Sequence, residues 1–229
     1  MKDDINRLTR DLGYTFNNQE LLVEALTHRS ASSPNNERLE FLGDGVLNFI
    51  IAAELFRRYP KATEGELSRL RACLVKKDGL AKIARGLSLG DYLILGSGEL
   101  KSGGYRRDSI LADAAEAIIG AVYLDQGFET CRGLVLRLYA KQLDNVPDLN
   151  RLKDPKTRLQ ELLQSKKLAL PVYEVQEVVG KAHEQYFRVE CSIETLNIKV
   201  EGKGRSRRKA EQAAAEQGIA AVEGLVSAD

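Results

Sequence analysis

The chain has 229 residues, 43% of them hydrophobic and 29% charged, with a formal net charge of +1, the make-up of a globular protein with room for two modest domains. The opening MKDDINRLTRDLG lacks an apolar signal core and no run reaches the ~18 uncharged apolar residues of a membrane span, so a cytoplasmic protein without a membrane partner is expected. Cys73, Cys131 and Cys191 are widely separated and form no C-x-x-C, which argues against a zinc site or disulfide framework and for buried, reduced thiols.

In chain order, INRLTRDLG (5–13) and QELLVEALTH (19–28) read as short amphipathic helices. Longer ones are expected over 36–58, 64–86, 110–125 and 129–143, where apolar residues recur three and four apart. GSGELKSGG (96–104) ends without G-K-[ST], so it is read as a flexible loop carrying Lys101, Arg106 and Arg107 rather than a phosphate-binding P-loop. DNVPDLNRLKDP (144–155) is proline-rich and polar, the composition of a linker. Beyond it the period changes. KTRLQELLQSKK is helical; PVYEVQEVV, YFRVECSI and NIKVEGKG read as strands, Phe187, Val189, Cys191 and Ile193 alternating with polar residues. Ser206 caps a closing alanine-rich helix through Ala220. The expected architecture is an all-α domain (1–146), a linker (147–154) and a small α-β-β-β-α domain (155–226).

NERLEFLGDG (36–45) carries Glu37, Glu40 and Asp44 within about 60° of one another on a helix. Leu39, Leu42, Val46, Phe49 and Ile50 fall on the opposite arc and are expected to pack inward, whereas Phe41, Leu47 and Ile51 flank the acids. ILADAAEAIIGAVYL (110–124) holds two charges only, Asp113 and Glu116, again on one face. Charged groups are seldom buried unless paired or coordinated. Carboxylates converging from two helices, without His or Cys, suit a hard divalent cation such as Mg²⁺, with Mn²⁺ as a substitute. The competing explanation is an ion-pair network in which Arg38, Arg69 or Arg71 neutralises the acids. His28 and His183 have no spacing suited to Cys-His or Ser-His-Asp chemistry.

KGRSRRK (203–209) packs five cations into seven residues. Arg207, Arg208 and Lys209 fall in the first turn of the last helix, where cations oppose the helix dipole and make sense if an anion docks there; a solvated charge run is the alternative. His183 lies in the turn GKAHEQ between two strands, placed either to reach a groove or to cap a hairpin.

These segments resemble bacterial ribonuclease III: LTHRSASS, NERLEFLGD, TEGELSRLRACLV (63–75), GSGELKSGGYRRDSILADAAEAIIGAVYLD (96–125) and GKGRSRRKAEQAAAE (202–216), in the same order across essentially the whole chain. The resemblance implies an all-helical endonuclease domain followed by a double-stranded-RNA-binding domain. It also implies Mg²⁺-dependent hydrolysis of RNA duplexes to 5′-phosphate and 3′-hydroxyl ends, in ribosomal and messenger RNA processing. Glu40, Asp113 and Glu116 would ligate the ion, Asp44 and Glu116 would be catalytic, and Glu37 and Glu64 would support the site. The enzyme would be a homodimer, each centre cutting one strand, with Phe41 contacting the partner subunit. Thr157, Gln160, Glu161 and His183 would face minor grooves while Arg207, Arg208 and Lys209 bridge phosphates between them. Gly45 departs from the serine common at that position. A relative that binds RNA duplexes without cutting is the alternative, and keeping all six acids argues against it.

Overall fold

The computed structural model describes residues 2–146, 153–180 and 184–226. The chain divides into two compact units, Met1–Pro147 and Asp148–Asp229. Residues 147–152, most of the expected linker, and His183 lie outside the described residues.

The first unit is helical: α1 (Lys2–Leu12), α2 (Gln19–Leu26), α3 (Glu37–Arg58), α4 (Glu64–Val75), α5 (Lys77–Gly86), α6 (Ser97–Lys101), α7 (Asp108–Leu138) and α8 (Ala140–Asp144). Its centre is α7, buried around almost its whole circumference from Ile110 to Val122, as an all-round apolar helix must be. The break expected between 125 and 129 is a kink at Gln126 and Gly127, whose φ of +77° favours glycine.

The structure departs from the sequence pattern at three places. The 64–86 segment is two helices, because Lys76 takes an extended conformation (ψ 150°) and ends α4; α4 itself starts on a capping box in which Thr63 and Glu66 exchange hydrogen bonds. The glycine-rich 96–104 stretch is no open loop, since Ser97–Lys101 is helical and Arg107 pairs with Glu99 at 3.0 Å. Cys131 and Cys191 are buried free thiols as read, but Cys73 is only half-buried.

The second unit runs α9 (Pro155–Ser165), β1 (Val172–Val179), β2 (Tyr186–Ile193), β3 (Ile198–Gly204) and α10 (Arg207–Val226). The antiparallel sheet has the order β1-β2-β3, with a register shift between Val175 and Glu177. The alternation read in YFRVECSI is real: Val189, Cys191 and Ile193 are fully buried. Cys191 and Ile193 share a core with Leu159 and Leu163 of α9 and Ala214, Ala215, Ile219 and Val222 of α10. Gly202 lets the sheet and α10 touch, for a Cβ there would stand 2.1 Å from the Ala214 amide nitrogen. Asp154 caps α9 through the Lys156 amide at 3.0 Å, and Ser206 Oγ accepts from the Lys209 amide at 3.3 Å. Helix α10 runs on past Ala220 to Val226.

Candidate active site and nucleic-acid interface

The acidic residues meet where α3 crosses α7, and two glycines set how closely. A Cβ on Gly43 would lie 1.8 Å from the Glu116 carbonyl oxygen; one on Gly120 would lie 2.3 Å from that of Leu39. Only glycines allow this approach. Glu40 and Asp44 flank Gly43 in α3, as Asp113 and Glu116 precede Gly120 in α7, so the crossing carries the carboxylates together. Sequence reasoning missed both glycines; the signal was a glycine inside each helix, within a turn of an acid.

One carboxylate oxygen each from Glu40, Asp113 and Glu116 lies within 4.8 Å of the others. Oxygens around an octahedral ion at 2.0–2.1 Å stand about 3 to 4.2 Å apart, so a small side-chain rotation brings the three into range. Glu116 is only 8% exposed. Burial first, then the fields of Asp44, Glu40 and Asp113, push its carboxyl up to about 8. Burial and the neighbouring Asp113 raise Glu40 as well. Three oxygen donors, one nearly dry and held against its own ionisation, fit a small hard dication.

The arginine network raised as the alternative does not form: among the described residues Arg38, Arg69 and Arg71 make no ion pair with these acids. The cations actually present are Lys77, whose Nζ is 3.0 Å from Asp113 Oδ1, and Arg29, 3.3 Å from Glu37. Asp44 is exposed and accepts from Asn48 Nδ2 at 2.8 Å. Glu64 lies outside the trio, on the first turn of α4, where it accepts from Ser68 Oγ at 2.7 Å.

The packing arc of α3 also differs from the sequence expectation. Leu39 and Ile50 are buried, Leu42 and Val46 are half-buried, but Phe49 is 61% exposed, beside Phe41 at 84%. The buried arc is rotated towards Gly43, Leu47, Ile51 and Leu55 by the packing against α7. Phe41, Val46, Phe49, Tyr123 and Phe128 line an open apolar groove of about 440 Å³. Gly45 faces this side with nothing within 4 Å of an added Cβ, so no steric demand explains the missing serine.

On the second unit, Thr157, Gln160 and Glu161 are exposed on α9, opposite its buried Leu159 and Leu163. Arg207, Arg208 and Lys209 are exposed at the start of α10; Arg207 pairs with Glu211 at 2.9 Å and Arg208 with Asp154 at 3.5 Å.

An acidic centre between two helices and a separate α-β-β-β-α unit with basic residues opening its last helix define a nuclease joined to an RNA-binding module. Residues 18–143 match the family described as Ribonuclease-III-like, and residues 155–222 match the double-stranded RNA binding motif. The chain is 60% identical over 216 residues to Ribonuclease 3 of Vibrio vulnificus strain YJ016, covering 94% of this chain and 96% of that one. It is 60% identical over 222 residues to Ribonuclease 3 of Nitrosococcus oceani, covering 96% and 95% respectively. The nuclease domain of ribonuclease III from Campylobacter jejuni superposes with a TM-score of 0.60 at 47% identity, over 61% of this chain and 99% of that domain. The chain belongs to the ribonuclease III family, and is thus an endoribonuclease carrying a double-stranded-RNA-binding domain. Among the described residues no helix is long and apolar enough to cross a membrane.

Proposed function

We propose that this endoribonuclease is Mg²⁺-dependent and hydrolyses both strands of an RNA duplex to 5′-phosphate and 3′-hydroxyl ends. It works as a cytoplasmic homodimer in ribosomal precursor and messenger RNA processing. The observation that carries this reading is the convergence of Glu40, Asp113 and Glu116 to within 4.8 Å, with no arginine among the described residues paired to them. Residues 1–146 form the catalytic domain, 147–154 the linker and 155–226 the RNA-binding domain.

In this reading Glu40, Asp113 and Glu116 hold the ion. An ion held there would supply positive charge to offset that building on the phosphoryl oxygens and would lower the pKa of bound water. Glu116, whose carboxyl is held protonated by burial and by its acidic neighbours, would have to give up that proton to join in holding the ion. Asp44, exposed at the open rim and oriented by Asn48, is placed to direct the attacking water and accept its proton. Glu37 and Glu64 add negative field around the centre without joining the trio. With water as the nucleophile, no Ser, Cys or His is required to attack the phosphorus.

Thr157, Gln160, Glu161 and His183 touch minor grooves, and Arg207, Arg208 and Lys209 touch phosphates, an arrangement that selects duplex shape over sequence. The exposed Phe41 and the groove beside it supply the dimer interface, since apolar patches of this kind mark interaction sites. The Campylobacter nuclease domain is described with a region involved in dimer formation.

Incubation with end-labelled duplex and single-stranded RNA tests the proposal. Mg²⁺ should yield short duplex fragments whose 5′ ends are phosphatase-sensitive, and EDTA should stop cutting while binding persists. Cutting that continued in EDTA, or 3′-phosphate products, would reject the metal mechanism.

A further inference from the structure

Lys77 is the first residue of α5, and its ammonium reaches Asp113, 36 positions along the chain. A lysine in the first turn of a helix opposes the dipole and has no local reason to be there. Its reason lies across the gap, because among the described residues it makes the one ion pair with a member of the Glu40–Asp113–Glu116 trio. The fields of Glu40 and Glu116 act on it as well. Its side chain is 62% exposed and that of Asp113 only 24%. The ammonium is therefore carried on a largely exposed, flexible four-carbon stem and can leave Asp113 without opening the core.

We propose that Lys77 is a tethered counter-ion: it holds the acidic trio together while no metal is bound and competes with the divalent ion for Asp113. The inference rests on the trio being the metal centre. A dication about 2.1 Å from an Asp113 oxygen and an ammonium 3.0 Å from the same carboxylate would stand within a few ångströms of each other, two positive charges in a partly dry cleft. They exchange rather than coexist. The lysine thus offsets the repulsion among the acids in the empty protein and raises the metal concentration at which the centre fills. Lys77 opposes the dipole of its helix just as Arg207, Arg208 and Lys209 oppose that of α10.

The test is Mn²⁺ alone, titrated into the full chain without RNA and followed by electron paramagnetic resonance and by thermal melting. The proteins are wild type, Lys77→Gln and Lys77→Arg. Lys77→Gln should bind Mn²⁺ about three- to tenfold more tightly, the range an ion pair in a partly screened site supports. Without metal it should melt about 2–4 °C lower, and saturating Mn²⁺ should remove that deficit. Lys77→Arg, keeping the charge, should stay within about twofold of wild type in affinity. A glutamine variant that binds Mn²⁺ no more tightly than wild type, or whose melting deficit is the same with and without Mn²⁺, overturns the proposal and leaves Lys77 as an ordinary helix tether. Wild type that binds no Mn²⁺ overturns the metal centre itself, and the lysine's role with it.

Discussion

Replacing Gly43 by alanine probes the close approach on which the acidic centre depends. The new Cβ would stand 1.8 Å from the Glu116 carbonyl oxygen, and real Cβ atoms essentially never come within 3.0 Å of another heavy atom in this way. The two backbones must therefore separate by at least about 1.2 Å, since neither atom belongs to a side chain able to rotate away. Overpacking of this sort costs about 1–3 kcal/mol, against which alanine's better helix propensity returns up to about 1 kcal/mol. The same separation draws Glu40 and Asp44 away from Glu116, and a displacement near 1 Å is worth about 100-fold in rate where reacting groups must be aligned. Urea denaturation and initial rates on a labelled RNA duplex, with Gly133→Ala as the control, measure both. An added Cβ at Gly133 meets nothing within 4 Å, so that variant should be slightly more stable and fully active. Gly43→Ala with wild-type stability and wild-type cleavage would mean that the acidic centre does not depend on the close approach of α3 and α7.

Glu116→Gln should lower cleavage by more than about 100-fold, exceeding the 10–100-fold typical of groups that only orient ligands, while gel-shift affinity for duplex RNA changes little; a fully active variant removes Glu116 from the chemistry. Because Glu116 is held up to about 8, far above an unfolded glutamate, the folded metal-free protein keeps a proton that the unfolded chain loses. Its contribution to stability is complete below about pH 4.5 and disappears as the pH rises through 8. Metal must displace that proton, so the Mg²⁺ needed for half-maximal cleavage should fall from pH 6 to 8, with proton release on titration; a flat profile contradicts the assignment. Arg207→Ala with Arg208→Ala should weaken RNA binding and reduce its salt slope by roughly 1 for each phosphate no longer neutralised; an unchanged slope would place the phosphate-binding cations elsewhere. Gly202→Ala, whose Cβ would meet the Ala214 nitrogen at 2.1 Å, should melt the RNA-binding unit and leave the nuclease unit's transition in place, as two-transition calorimetry would report.

Periodicity carried most of the fold. The switch from a three-and-four spacing to alternation at YFRVECSI located the second unit, and the burial of Val189, Cys191 and Ile193 follows that alternation directly. Helical spacing also put Asp113 beside Glu116 and Glu40 beside Asp44. What pattern alone did not supply was the direction in which each helix packs. Phe49 fits an inward arc on a helical wheel, yet lies 61% exposed: the backbones of α3 and α7 close up at Gly43, and Phe49 reaches α7 through the Phe128 ring, 5.5 Å between centroids, on the open groove. The break at Lys76 is illegible for a similar reason: Val75 and Lys77 both suit helices, and the interruption is one residue's ψ. Arg38, Arg69 and Arg71, the arginines weighed as partners, do not pair with these acids, while Lys77 and Arg29 do, Lys77 with Asp113 and Arg29 with Glu37.

Everything proposed for the nuclease unit depends on Glu40, Asp113 and Glu116 together binding a divalent ion. Anomalous diffraction from crystals soaked in Mn²⁺ measures this most directly. The expected map has a peak bonded to one oxygen from each of the three carboxylates, with Lys77 turned away from Asp113. A manganese peak elsewhere on the chain, with the three carboxylates still empty and Lys77 in place, would contradict it.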